Sequence, residues 1–243
     1  MSTGFIDMHH HLLFGMDDGA TTYREALQMM RAARRCGIDS IIATPHAYPG
    51  ISKFDMDKYH ERLRQLQEVS ITHRDMPRIY GGAEIYSTES VIRFLSSNRV
   101  PTMNNTNFVL IEWNPKVEFK EISVAIRALA NEGYITIMAH VERYMCLWRK
   151  IKELEELKNQ FNIRIQVNCD TIIGNSSMME KYICRNLLKN HIADYIATDA
   201  HNTTTRKAHM DDAFVVLEQR YGIDYAKRIT GLNQTELLIS RLK

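Results

Sequence analysis

Cysteine is scarce: four residues in 243, Cys36, Cys146, Cys169 and Cys184, lie far apart and form no Cys-x-x-Cys pair. That spacing excludes zinc ribbons and a disulfide framework and suits a reducing cytoplasm. Long apolar runs are missing too; none approaches the roughly 18 residues that span a bilayer. Met1 to Asp7 lacks the basic-then-apolar order of a secretory signal, so a soluble, cytoplasmic protein without membrane insertion is expected. Neither sign of charge dominates. Lys plus Arg total 31 against 29 Asp plus Glu, a formal charge of +2, with no long run of one sign. Charge-driven binding to nucleic acid or to an anionic membrane is therefore not expected. What is present is ordinary globular material, 44% hydrophobic and 25% charged, and a chain this long removes roughly 70 to 75% of its unfolded surface from water without staples. No repeat, low-complexity tract or Pro/Ser-rich linker divides it, which predicts a single domain over 1–243.

Seven β-branched or aromatic runs recur: Phe5 to His9, Ser40 to Thr44, Arg78 to Glu84, Phe108 to Glu112, Ile135 to His140, Arg164 to Asn168 and Tyr195 to Asp199. Helical periodicity lies between most of them. The first helix is bounded by a Thr22–Glu25 capping box and by Gly37, with Tyr23, Leu27 and Met30 on one face. Asp55 to Thr72, Thr88 to Ser97, Glu118 to Asn131, Leu147 to Gln160, Ser176 to Asn190 and Thr203 to Tyr221 read as further helices. Such alternation implies right-handed βαβ units and a parallel sheet, open or closed. The absence of GxGxxG and of GxxxxGK[ST] after any strand favours a barrel over a nucleotide-binding open sheet.

Almost every run ends in a residue able to bind metal. The ends read Asp7-Met8-His9-His10-His11, Thr44-Pro45-His46, Gly82-Ala83-Glu84, Ile111-Glu112-Trp113, Ala139-His140-Val141-Glu142-Arg143 and Thr198-Asp199-Ala200-His201, to which Asp17-Asp18-Gly19 adds Asp18. In a parallel barrel all strand C-termini open on one rim, so His9, His11, Asp18, His46, Glu84, Glu112, His140, Asp199 and His201 converge. On an extended segment His9 and His11 point to the same side, and His10 points away. Four carboxylates gathered at one rim need neutralising, and the imidazoles are borderline-soft donors. Nine ligands exceed one tetrahedral zinc, so two or three bridged ions of Mn, Fe or Zn are the natural expectation. Singly, each residue has a plainer reading as an N-cap, a rim charge or a core histidine. Their agreement in register is what carries the argument. His60, His73, His191 and His209 lie in or beside helices and are left out.

In order along the chain, Asp-Met-His-His-His, Asp-Asp-Gly, Thr-Pro-His, Gly82-Ala83-Glu84-Ile85, Ile-Glu, Ala-His-x-Glu-Arg and Asp199-Ala200-His201-Asn202 resemble the polymerase-and-histidinol-phosphatase (PHP) superfamily. More closely they resemble the bacterial capsule-locus protein-tyrosine phosphatases, from Ile6 to about Met210. The resemblance implies a distorted seven-stranded (β/α)7 TIM-like barrel with a three-metal site, often manganese. His9, His11, Glu84 and Asp199 would hold the first ion, Glu84, Glu112 and His140 the second, and Asp18, His46 and His201 the third. Arg143 and Arg206 match phosphate-contacting positions. The chain departs from the family at His10, often a small residue, at Cys169-Asp170 after Gln166-Val167-Asn168, and just after His201.

The implied reaction is hydrolysis of phosphotyrosine on a bacterial tyrosine kinase that regulates capsule or exopolysaccharide synthesis, by attack of a hydroxide bridging the metals. Three divalent ions and four carboxylates leave about +2, suited to a phosphate dianion. Arg143 and Arg206 would clamp equatorial oxygens. Phenolate leaves without strong general-acid help, its conjugate acid having a pKa of about 10. Phe14, Tyr48, Tyr86, Trp113 and Tyr144 are expected near the rim. No cysteine has Arg six positions on, so the thiol phosphatase route is excluded. The alternatives keep the metals and change the substrate, to histidinol phosphate or a C–N bond, or make the protein a non-catalytic metal-stabilised module.

Overall fold

Because each helix returns the chain to the same end of the sheet, every strand pairing is parallel. The structure, a computed structural model, describes residues 4–239; the extreme ends of the expected 1–243 domain lie outside it. In order it runs β1 (Phe5–His10), α1 (Tyr23–Arg35), β2 (Ile38–Ala43), β3 (His46–Ala47), α2 (Met56–Thr72), β4 (Arg78–Gly81), β5 (Glu84–Tyr86), α3 (Val91–Ser96), β6 (Phe108–Glu112) and α4 (Phe119–Asn131). Then follow β7 (Ile135–Met138), α5 (Ile151–Phe161), β8 (Arg164–Asn168), α6 (Cys169–Ile173), α7 (Met178–Lys189), β9 (Tyr195–Ala197), α8 (Met210–Tyr221), α9 (Ile223–Lys227) and α10 (Thr235–Leu238).

The α/β architecture is as expected; the strand count is not. Seven runs become nine segments in two ladders, β1-β2-β4 and β3-β5-β6-β7-β8-β9. β3 is an added segment beyond the second run, separated from it at Thr44-Pro45, where proline offers no ladder N–H, and the third run breaks at Gly82-Ala83. Backbone bonds step across the gaps, Gly82 N donating to Ala43 O at 2.9 Å and Glu84 N to Pro45 O at 3.1 Å. The result is a curled parallel half-barrel. At its rim β1 and the end of β9 touch, with Asp199 N donating to His9 O and His11 N to Ala200 O, both at 2.9 Å.

Strand alternation divides the core. Ile42, Leu110, Ile137, Tyr195 and Ala197 pack inside the curl with Met103 and Leu237. Ile41, Val109, Ile111, Ile165, Val167 and Ile196 face outward under the helices. Neighbours in sequence thus go to opposite layers. In α1 the Thr22 hydroxyl accepts from Glu25 N as expected, but the Glu25 carboxylate reaches Thr21 instead of closing the box on Thr22. Its buried face is Ala26, Met29, Met30 and Ala33, leaving Tyr23 41% exposed. The expected helix over Thr203 to Tyr221 starts only at Met210. The Asn202 carbonyl oxygen accepts from Thr204 N, Thr205 N and Arg206 N, an Asx turn that outcompetes the helix there. Among the described residues no helix is long and apolar enough to cross a membrane.

Candidate metal centre

All nine expected ligands meet at the C-terminal rim. Their donor atoms fall into three groups, each with atoms within 4.8 Å of one another: His9, His11, Glu84 and Asp199; His11, Asp18, His46 and His201; and His46, Glu84 and Glu112. The groups share corners, His11 between the first two, Glu84 between the first and third, His46 between the last two. His140 joins through Glu84, its Nε2 lying 2.7 Å from Glu84 Oε1 and 3.8 Å from Glu112 Oε2. The tightest partner of Glu84 and Glu112 in the third group is thus His46, whose Nδ1 lies 3.1 and 3.3 Å from their oxygens.

The backbone is bent to achieve this. His140 (φ 31°) and Asp199 (φ 52°) both sit in the left-handed region just past their strands, a conformation costly for residues with a Cβ and held by the surrounding contacts. A Cβ on Gly19 would lie 2.0 Å from the His11 carbonyl oxygen. Only glycine lets the Asp17-Asp18 loop close on His11.

The donor atoms crowd without pairing. His9 Nε2 lies 3.1 Å from His11 Nε2, 3.0 Å from Glu84 Oε2 and 3.5 Å from Asp199 Oδ1. Yet Glu84 Oε2, His46 Nδ1 and His201 Nε2 are buried with no hydrogen bond. Lone pairs this close that fail to align with one another are aimed at points between them, the arrangement a cation needs, and the mixed imidazole and carboxylate donors suit first-row divalent metals. Burial opposes charge on Glu84 and Asp199, but His9 and then His11 hold both carboxyls well below their usual range. His10 is buried and outside every group; burial first, and then the His11 charge, push it down to about 3. It stays neutral, pointing away from the ligands as its place between His9 and His11 requires.

Arg143 and Arg206 converge on one ligand. Arg143 Nη2 lies 2.7 Å from Asp199 Oδ2, and Arg206 Nη2 donates to both oxygens, 3.1 Å from Oδ2 and 3.2 Å from Oδ1, the oxygen that also faces His9 and His11. The Asx turn at Asn202 brings Arg206 back: His201 N donates to Arg206 O at 2.8 Å.

Of the expected rim aromatics, Tyr48 stacks on His46 with ring centroids 5.6 Å apart and neighbours Tyr86 at 5.8 Å. The others are packing residues. Trp113 and Tyr144 meet edge to face, with Tyr144 OH donating to Ala139 O, and Phe14 lies under the Arg62 guanidinium. A cavity of about 430 Å³ opens beside the ligands, lined by Asp17, Asp18, His46, Tyr48, Phe54 and Lys58. His209 pairs with Asp212, and His60, His73 and His191 are exposed, all outside the centre.

Sequence reasoning missed Asp17. Its Oδ2 accepts from His11 Nδ1 at 2.7 Å and His46 N at 2.9 Å, its Oδ1 from Gly19 N at 3.0 Å. Burial opposes its charge, but the His11 hydrogen bond dominates and holds it at about 2. The Asp-Asp pair was the available signal; which member ligates and which orients is decided by the loop.

Fold and rim geometry together define a β/α half-barrel with clustered groups able to hold metal at its C-terminal rim. A putative histidinol phosphatase from Listeria monocytogenes has a similar fold, with 13% identity, a TM-score of 0.53 and coverage of 81% of this chain and 95% of that one. The profile of the family described as capsular polysaccharide synthesis, CpsB/CapC, matches residues 5–239, and the chain belongs to that family. It is 27% identical over 242 residues to tyrosine-protein phosphatase CpsB of Streptococcus pneumoniae, covering 98% of this chain and 99% of that one. It is 31% identical over 238 residues to tyrosine-protein phosphatase YwqE of Bacillus subtilis, covering 96% and 91%. A crystal structure among those of YwqE and S. pneumoniae CpsB, described as unique metal-dependent tyrosine phosphatases, superposes with a TM-score of 0.87 at 29% identity, covering 98% and 95%.

Proposed function

We propose that this protein is a metal-dependent protein-tyrosine phosphatase acting on phosphotyrosine of a bacterial tyrosine kinase that regulates capsule or exopolysaccharide synthesis, in the cytoplasm. The observation that carries this reading is the triangle of ligand groups joined at His11, Glu84 and His46, in a chain similar along nearly its whole length to tyrosine phosphatases. Three divalent ions, manganese first and iron or zinc next, fit such an arrangement with His140 in place of His46 beside Glu84 and Glu112. His9, His11, Glu84 and Asp199 would hold one; Glu84, Glu112 and His140 the second; Asp18, His46 and His201 the third. The nine strand segments are then seven strands of a distorted (β/α)7 barrel, closed where His10 bridges Ala200, within one domain.

Such ions supply Lewis acidity and lower the pKa of water enough to make a nucleophile at neutral pH. The chain's own groups do the rest. Arg143 and Arg206 flank Asp199 from one side, with guanidinium donors free to turn from its Oδ2 to the oxygens of an arriving phosphate, whose charge grows in the transition state. Tyr48 and Phe54, in the cavity beside His46, offer flat faces to a phenyl ring. Phenolate departs as a good leaving group, and no general acid is required of the chain.

The test is release of phosphate from phosphotyrosine peptides by protein stripped with chelator and reloaded separately with manganese, iron or zinc. Activity lost on stripping, restored by metal and greater on phosphotyrosine than on histidinol phosphate supports the reading. Full activity after stripping, or preference for histidinol phosphate, overturns it.

A further inference from the structure

β8 is the odd strand of the rim, ending in Gln166-Val167-Asn168 with no ligand where most of the others contribute one. Ile165 and Val167 pack outward under the helices, so Gln166 and Asn168 point inward. Both are buried, at 0% and 4% exposure. Buried amides are retained only where their hydrogen bonds are met, and here they form one continuous chain.

The orientation of that chain follows from a single group that can only donate. The His140 backbone N–H lies 2.7 Å from Gln166, so the atom there is the carbonyl oxygen, Oε1. Gln166 Nε2 then donates to Asn168 Oδ1 at 2.7 Å, and Asn168 Nδ2 donates to Asp199 Oδ2 at 3.0 Å. Gln166 Oε1 also lies 3.3 Å from His9 Nδ1; an oxygen lone pair there requires Nδ1 to carry the proton. His9 Nε2 is then the nitrogen left for a metal, and it is the atom that faces Glu84 Oε2 and Asp199 Oδ1. The strand end is pinned in turn, Asn168 N and Thr171 Oγ1 donating to Glu142 Oε1 at 2.9 and 3.1 Å.

We propose that Gln166 and Asn168 are positioning residues, a two-amide relay that locks His9 in the Nδ1–H tautomer and turns Asp199 so that Oδ1 faces the metal. The relay couples three ligands, His9, His140 and Asp199, to one backbone N–H. This inference rests on the metal-centre reading above and assigns β8 its share in it. Outer-shell hydrogen bonds of this kind are worth about 10- to 100-fold in metal affinity.

The experiment separates the relay from the phosphatase reading, because two of its readouts need no turnover. In zinc-loaded protein, nitrogen NMR of the imidazoles is expected to show His9 with a protonated Nδ1 and Nε2 on the metal. Gln166→Leu should lose that tautomer preference and bind zinc about 10- to 100-fold more weakly in a competition titration. Gln166→Glu still accepts from His140 N and His9 but cannot donate to Asn168. It should keep the tautomer and yet lose affinity, because the Asn168 amide turns its donor to the new carboxylate and its oxygen to Asp199. In both variants excess metal should restore kcat with little change in KM. The proposal is overturned if His9 carries its proton on Nε2 in the zinc-loaded unsubstituted protein, if Gln166→Glu binds zinc with unchanged affinity, or if a folded Gln166→Leu does. Loss of phosphatase activity against every phosphopeptide, with tautomer and affinity behaving as stated, would sink the substrate assignment and leave the relay standing.

Discussion

The two ends of the sheet handle charge in opposite ways. At the N-terminal end of the strands opposite charges pair: Arg164 Nε and Nη2 donate to the two oxygens of Glu236 at 2.9 and 3.1 Å, Tyr195 OH joins the same carboxylate, and Lys158 Nζ meets Asp194 Oδ1 at 2.7 Å while Ile165 N meets Oδ2 at 2.9 Å. At the C-terminal rim Glu84, Glu112, Asp18 and Asp199 share partners with one another among five imidazoles, with some buried donor atoms left without a hydrogen bond. The first end is arranged for stability. The second gathers donor atoms toward shared points, as a bound cation requires, and that contrast identifies the ligand centre more surely than any single residue does.

The largest effect that would sharpen the contrast is at Glu84. As the corner shared by two ligand groups, Glu84→Gln is expected to cut turnover by about 100-fold or more and to lower bound metal measured by elemental analysis. In metal-free protein the same change should lower the melting temperature, since the carboxylate that His9 and His11 hold well below its usual range stabilises the folded state. A folded variant with full activity would break the comparison.

Arg143→Ala comes next. It should cost turnover about 100-fold, the scale of a lost transition-state donor, with metal content intact. Unchanged kcat would reduce Arg143 to an ion-pair partner of Asp199.

The smallest effect belongs to the other end. Glu236→Gln, in a half-exposed pair, should lower stability by about 1 kcal/mol or less and leave turnover alone. Its pH dependence has a definite sign. Burial opposes charge on Glu236, but the Arg164 fork and the Tyr195 hydroxyl hold its carboxyl below the usual value. The folded state therefore binds a proton less readily than the unfolded one, so the stabilisation is full above the ordinary carboxyl pKa of about 4.5 and disappears as pH falls through the lower, folded value. Urea unfolding at acid and neutral pH checks this: the difference between the two proteins should shrink toward acid. A difference that grows toward acid would contradict it.

Much of the centre was legible before any coordinates. All nine candidate ligands could be expected at one place because parallel strands share one rim and because ligand types recurred at strand ends, a one-dimensional pattern with a simple three-dimensional meaning. What escaped was set by side-chain hydrogen bonds with no periodicity. Asp17 differs from Asp18 only in which way its loop turns, and Gln166 and Asn168 look like ordinary strand polar residues until their partners, 26 to 157 positions away, are in place. The helix start at Met210 was missed for the same reason, as Asn202 withdraws three N–H groups from any helix there.

Local order and chemistry, then, were decided by the chain alone: parallel α/β alternation, absence of a thiol route and the identity of the donors, all properties of residue type and spacing. Tertiary structure decided the rest: how the third run breaks, which atoms of Gln166 and Asn168 meet His9 and Asp199, and how Arg143 and Arg206 reach the Asp199 carboxylate. Those outcomes depend on angles and distances between groups remote in sequence, and only the geometry of the curled sheet sets them.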